Sequence, residues 1–373
     1  MNYNNLTENP YIIGPPIRSK KKLFGRENIV YRIKNNIKNN IKITLLHVQR
    51  RIGKTSLITC LPDFFTEEEN IFKFAYFSFQ SYKASSLPQI LQCLARDIVD
   101  NIDVIPPQVI ELANNSYNFF HLFLPTIINE YLSGENFVIL LDEFDVLEED
   151  QTTFIHGKYL FNELKKAVNR EEKLFAILVF GRPLKDMTYL GELLQKEGQE
   201  TIEVGLLDKK STHNLIVEPA KGTLEYEADA IDAIWQLSAG HPSLTQLLCL
   251  YIFRFCIQKG IKKVTHTHVD SILDEAMEGG KAALKGFLEP LDENEKLFFC
   301  AVAKAQNEVG ENRLKANIKK SQSVGKRLAE EYGFLEEKED GTGYKIKVEL
   351  VRRWLVKNYP LSDKEKLQVE KAI

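Results

Sequence analysis

Nothing in the sequence is built to cross a membrane: no run of about 18 uncharged apolar residues occurs, and Met1 to Pro10 is polar, without the charged-then-apolar pattern of a secretory leader. The nearest approach to a span, Leu247 to Ile257, is too short and contains Arg254, so it reads as a buried helix. A cytoplasmic protein is expected. Cysteine is sparse as well: the five residues Cys60, Cys93, Cys249, Cys256 and Cys300 are odd in number and lack the close pairing of a zinc site or redox motif, which predicts reduced thiols. Charge of one sign is missing too. A net charge of -3 gives no global pull toward nucleic acid or an acidic membrane surface. Neither an internal repeat nor a low-complexity tract interrupts the chain.

What is present is an ordinary globular balance, 44% apolar and 27% charged, over 373 residues, more than one core usually supports. Apolar, β-prone runs at Ile43 to Val48, Phe72 to Phe79, Phe137 to Leu141, Leu174 to Phe180 and Thr201 to Leu206 alternate with helical periodicity at Glu27 to Asn39, Ser56 to Leu61, Ile90 to Ile102 and Tyr159 to Val168. Alternation of this kind predicts an α/β fold with a five-stranded parallel sheet between helices. From Glu225 to Glu278 the strand signal disappears and three helical segments follow, broken at Gly240-His241-Pro242 and near Gly260. Beyond Leu291, three helices, a Gly341-Thr342-Gly343 turn between two short strands and a closing helix around Trp354 spell a winged helix. The expected divisions are an entry segment (1–26), an α/β core (27–222), a helical lid (223–288) and a winged-helix domain (289–373).

Chemistry concentrates where strands end. Val48-Gln49-Arg50-Arg51-Ile52-Gly53-Lys54-Thr55-Ser56 lies between a strand and a helix, as a phosphate loop must. Backbone N–H groups from Gln49 to Ser56 would bind phosphate oxygens, Lys54 would reach the terminal phosphates, and the Thr55 hydroxyl would ligate Mg²⁺. Val48 stands where the consensus has glycine, and a β-branched residue resists the backbone angles of a tight turn, which weakens the expected turnover. Phe137 to Leu141 then ends in Asp142-Glu143: Asp142 would hold Mg²⁺ through water, and Glu143 would orient or deprotonate the attacking water. Leu174 to Phe180 ends in Gly181-Arg182, which puts Arg182 at the edge where ligands of open α/β sheets collect. Glu143, Lys54 and Arg182 are the catalytic candidates. The lone histidines, His47, His156 and His266-Thr267-His268, have no companions at metal-ligand spacing and read as structural.

Taken together, Asn9-Pro10 through Pro15-Pro16, Phe24-Gly25-Arg26-Glu27, Arg50 to Leu57, Leu141-Asp142-Glu143, Gly181-Arg182 and Gly240-His241-Pro242 resemble, in order and spacing, prokaryotic AAA-like ATPases of the STAND signalling class. The resemblance implies a P-loop NTPase three-layer sandwich with a helical lid and a winged helix, binding ATP or ADP with Mg²⁺. It also implies that Gly25 and Arg26 lie against the adenine, that Arg182 reads the γ-phosphate, and that His241 and Pro242 pack near the base. A switch is expected, whose nucleotide state controls self-assembly or a partner protein. Two alternatives stand beside it: a nucleotide-bound scaffold without turnover, and an ATP-dependent DNA-binding protein similar to archaeal replication initiators or transposition-regulating ATPases. The DNA contacts of the latter would be Arg313, Lys315, Lys319, Lys320, Lys326 and Arg327, a run without acids at the place of a recognition helix. Against it, the wing residues Glu336, Glu337, Glu339 and Asp340 are acidic and repel phosphate.

Overall fold

Continuous apolar runs, with no polar alternation, are what a strand buried on both faces requires. In the computed structural model, β1 (Ile43–Val48), β3 (Asn136–Asp142) and β4 (Leu174–Phe180) are buried at every residue. The two flanking strands, β2 (Phe72–Ser78) and β5 (Thr201–Val204), are only partly so. The structure describes residues 8–48, 52–66, 71–82, 85–102, 104–132, 134–148, 151–181, 187, 190–196, 201–307, 321–330, 332–337 and 343–361. All five strands are parallel, in the order β2-β3-β4-β1-β5. Register brings Leu45 beside Leu178, Leu141 beside Leu178, and Ser78 beside Asp142.

One face of the sheet, with Leu45, Phe77, Ile139, Leu141 and Leu178, shares a core with Leu91, Leu94 and Ile98 of α3 (Leu87–Asn101) and with Leu160, Phe161 and Leu164 of α4 (Gln151–Arg170). Helix α1 (Glu27–Lys38) buries Ile29, Val30, Ile33 and Ile37 at the spacing of one helical stripe. Helix α2 (Lys54–Cys60) begins at Lys54, immediately after Gly53, whose φ of 91° lies in the left-handed region that glycine enters without steric cost. A further helix of this unit, α5 (Leu190–Lys196), follows β4.

The described residues divide into two compact units, one of residues 17–48 and 54–205, the other of residues 8–16, 52–53 and 206–361. In the second unit, α6 (Lys209–Val217), α7 (Ala228–Ser238), α8 (Pro242–Lys259) and α9 (His266–Gly279) precede α10 (Glu293–Asn307) and α11 (Ser321–Glu330). An antiparallel pair, β8 (Leu335–Glu337) and β9 (Tyr344–Ile346), and a last helix, α12 (Glu349–Asn358), complete it. The helix-hairpin-helix order is that of a winged helix; of the Arg313 to Arg327 stretch expected to hold a recognition helix, residues 321–327 lie on α11 and residues 313–320 lie outside the described residues. Ile252, Phe299, Leu335 and Trp354 belong to one core, so the helical segment and the C-terminal module fold around common apolar surface.

The stretch expected to be purely helical also contains a two-residue parallel pair, β6 (Glu225–Tyr226) with β7 (Lys263–Val264). Two residues are too few to leave a periodic signature. The N-terminal stretch is anchored here as well: Asn9 donates to the Leu250 carbonyl at 3.1 Å, and the Ile12 N–H donates to Gln246 Oε1 at 2.8 Å. All five cysteines are free.

Candidate functional site

Because β4 lies between β1 and β3, the ends of the latter two strands are about 10 Å apart, two strand spacings. Lys54 is long enough to close that distance. Its ammonium Nζ lies 2.9 Å from Asp142 Oδ1 and 3.3 Å from Glu143 Oε1. Asp142 is 2% exposed, and burial holds its carboxyl above the usual carboxylate range, against the opposing pull of Lys54. A carboxylate kept from water in this way requires a cation beside it.

Glu143 adopts φ 56°, a left-handed conformation that costs a residue with a side chain of order 1 kcal/mol. The backbone leaves β3 sharply there, and the Glu143 N–H is satisfied by Asp142 Oδ1 at 2.8 Å. Two residues on β2 complete the cluster. Tyr76 donates its hydroxyl to Asp142 Oδ2 at 3.2 Å, and Ser78 donates to Glu143 Oε2 at 2.8 Å. Burial, and then the charge of Asp142, push the Tyr76 phenol well above its ordinary value, so it stays a donor. Sequence reasoning missed both. Period-two alternation along Phe72 to Ser78 carries the signal, since Tyr76 and Ser78 share a face, but only the β2–β3 register shows which carboxylates they meet.

For Mg²⁺, the fit rests on chemistry: Asp142 is a hard oxygen donor already held beside a cation, and the Thr55 hydroxyl is exposed on the first turn of α2. Among the described residues no group of three or more His, Cys, Asp or Glu could hold a metal by itself. A site with few protein ligands suits Mg²⁺, which commonly takes one or two carboxylates and draws its other ligands from phosphate and water.

The remaining candidates divide by location. Gln49, Arg50, Arg51 and Arg182 lie outside the described residues, as do Arg313, Lys315, Lys319 and Lys320. Val48 is the last residue of β1, paired with Val204 and buried. Its backbone is therefore extended, and the β-branched side chain sits in the conformation it prefers. Gly25 has φ 68° at the entry to α1, and Arg26 Nη1 donates to the Gly205 carbonyl at 2.9 Å beyond the end of β5. Burial lowers the Arg26 guanidinium to about 10, which leaves it charged at neutral pH. Ser56 accepts the Ile17 N–H at 3.0 Å.

In the second unit, Gly240 has φ 77°, and a Cβ there would lie 2.2 Å from the Leu207 carbonyl oxygen, so glycine is required. His241 is the N-cap of α8, with Nδ1 facing the Leu244 N–H at 3.4 Å and its ring 5.5 Å from that of Phe287, and Pro242 opens the helix. The Gly-His-Pro sequence thus performs a left-handed stop and a capped start. Of the basic run, Lys326 pairs with Glu330 at 3.8 Å and Arg327 with the buried Glu295 at 3.0 Å. In the wing, Glu336 pairs with Lys345 at 2.9 Å. His47 pairs with Glu203, and His268 Nδ1 accepts the Thr265 N–H at 3.0 Å in a capping box, both structural roles.

A parallel five-stranded sheet in this order, with a basic residue opening the helix after β1 and carboxylates closing β3, is the sheet of a P-loop fold. Solved structures share it over most of their length. A Walker-type ATPase of Pyrococcus abyssi superposes with a TM-score of 0.64 at 16% identity, covering 92% of this chain and 98% of that one. The ORC2 protein of Aeropyrum pernix, in ADPNP–ADP complexes, superposes with a TM-score of 0.59 at 15% identity, covering 93% and 96%. No protein-family model and no curated protein matches the sequence. Among the described residues no helix is long and apolar enough to cross a membrane.

Proposed function

We propose that this protein binds ATP with Mg²⁺ at the Lys54–Asp142–Glu143 cluster and works as a molecular switch, its nucleotide state controlling self-assembly or the recruitment of another protein. The observation that carries the reading is the Lys54 ammonium resting on two carboxylates from a strand that is not its neighbour. Such a lysine exchanges one set of oxygen partners for another, carboxylate for phosphate, at modest electrostatic cost.

Each residue has a role in this reading. Backbone N–H groups at the start of α2 and the Lys54 ammonium bind phosphate oxygens. Thr55 and Asp142 would hold the metal, which supplies charge neutralisation to the phosphates when bound. Glu143, fixed by Ser78, orients or deprotonates the attacking water, and Tyr76 keeps Asp142 turned toward the edge of the sheet. Arg182 as γ-phosphate sensor, and Gly25, Arg26, His241 and Pro242 as neighbours of the base, enter through the resemblance.

ATP binding and phosphate release by the wild type, Lys54→Ala and Glu143→Gln, with particle size measured in each nucleotide state, test the proposal. Lys54→Ala is expected to lose binding, and Glu143→Gln to bind ATP, release no phosphate and hold the size of the ATP state. A wild type that binds no adenine nucleotide, or binds it with no change in size, overturns the switch.

A further inference from the structure

The turn that follows Glu143 does more than reverse the chain. Residues Phe144–Glu148 form a single 3₁₀ segment, and its side chains attach at three points to the end of β4 and the start of α5. The ring of Phe144 meets that of Phe180 edge-on at 5.9 Å and that of Phe79 at 5.5 Å. Asp145, 7% exposed, accepts the Gly181 N–H on Oδ1 at 3.0 Å. Glu148 Oε2 accepts the Leu190 N–H at 2.8 Å, one of the donors that the first turn of α5 leaves without a helical partner. Gly181 is the residue that leaves β4, and Leu190 is the residue that enters α5.

We infer that Asp145 and Glu148 are positioning residues for the nucleotide site: through these two backbone N–H groups they lock the Glu143 turn to the end of β4 and the start of α5. The inference rests on the nucleotide reading above and adds to it two carboxylates that touch no phosphate. The physical need is visible at Glu143. Its left-handed backbone is strained, and a strained residue keeps its conformation only where the surrounding structure over-determines it. The Asp142 bond to the Glu143 N–H holds the turn from one side, and the Asp145 and Glu148 bonds hold it from the other. A carboxylate accepting a backbone N–H in a buried setting makes a strong, directional bond. The turn so held keeps Asp142, which accepts the Glu143 N–H, in place for the Mg²⁺ that a triphosphate would bring, whereas the inner phosphates depend on the start of α2. Loosening it therefore weakens triphosphate recognition selectively.

The test compares affinity for a non-hydrolysable ATP analogue with affinity for ADP in Asp145→Ala, Asp145→Asn and Glu148→Ala. Asp145→Ala is expected to weaken the triphosphate about tenfold, the value of one charge-assisted hydrogen bond, and to leave ADP within about twofold. Asp145→Asn, whose amide oxygen still accepts the Gly181 N–H, is expected to stay near wild type. Should Asp145→Ala fail to fold, Glu148→Ala at the less buried attachment carries the same ratio. Equal losses for both nucleotides, or an Asn variant as impaired as the Ala variant, overturn the inference. A wild type that binds neither nucleotide instead overturns the nucleotide reading, so the two failures are distinguishable.

Discussion

Among the described residues, two clusters of ionisable groups at least partly withdrawn from water are stabilised in opposite ways. At the sheet edge, Lys54, Asp142 and Glu143 set opposite charges against one another, with Tyr76 and Ser78 as donors. In the second unit, Tyr11, Tyr226 and Cys249 form a neutral cluster: the Tyr11 hydroxyl donates to the Ile216 carbonyl and lies 3.0 Å from that of Tyr226. Burial pushes both phenols and the Cys249 thiol far above their ordinary values, so none of them ionises near neutral pH. The comparison separates a site from a scaffold. Neutral groups satisfied by one another have no exchange to make, whereas a lysine shared between two carboxylates can trade them for another anion.

Breaking the charged cluster gives the largest effect. Lys54→Ala leaves Asp142 buried without its cation and is expected to cost about 3 kcal/mol of stability in chemical denaturation. The sign with pH follows from the raised Asp142 carboxyl: stability associated with its protonated form is present below the unfolded value of 3.8 and lost as pH rises through the folded value. Removing Lys54 raises that folded value further, so the deficit of the variant shrinks as pH falls. Adding Asp142→Asn to Lys54→Ala is expected to restore stability at neutral pH without restoring nucleotide binding.

A smaller loss awaits the neutral cluster. Tyr11→Phe strips the buried Ile216 carbonyl of its donor and is expected to cost about 1.5 kcal/mol, with no pH dependence between about 5 and 9 and no change in nucleotide affinity. A pH-dependent loss there would erase the distinction between the two clusters.

The least effect is expected at Glu349, the first-turn carboxylate of α12. Glu349 is partly buried, which raises its carboxyl, but the bonds from Arg352 and Arg353 outweigh this and leave it below the ordinary value of 4.5. Its contribution is present above 4.5 and is lost as pH drops through the lower folded value. Glu349→Gln should cost about 0.5 kcal/mol at pH 7 and nothing once the wild-type carboxylate is protonated, measured by thermal melts across that range.

The fold was largely legible in the sequence, because strands buried on both faces must be predominantly apolar, as β1, β3 and β4 are despite Thr44, His47, Asn136 and Asp142. The candidate residues at the end of β3 were legible for the same reason, since Asp142 and Glu143 interrupt such a run. The sequence was less informative about Val48, where comparison with a consensus pointed to a strained turn. The backbone there is extended strand, and the left-handed turn belongs to Gly53. Helix α4 extends back to Gln151, beyond the expected Tyr159, because its first turns carry little apolar periodicity.

Composition, periodicity and local motifs by themselves thus determined the sheet, its main helices and the choice of Lys54, Asp142 and Glu143 as candidates, since these follow from local burial and from residues adjacent in sequence. Only the tertiary structure decided that Lys54 spans β4 to reach Asp142, that Tyr76 and Ser78 stand beside the carboxylates, and that Asp145 and Glu148 hold Gly181 and Leu190. Each of these depends on strand order and register, and contacts between residues dozens of positions apart leave no periodic trace in a single sequence.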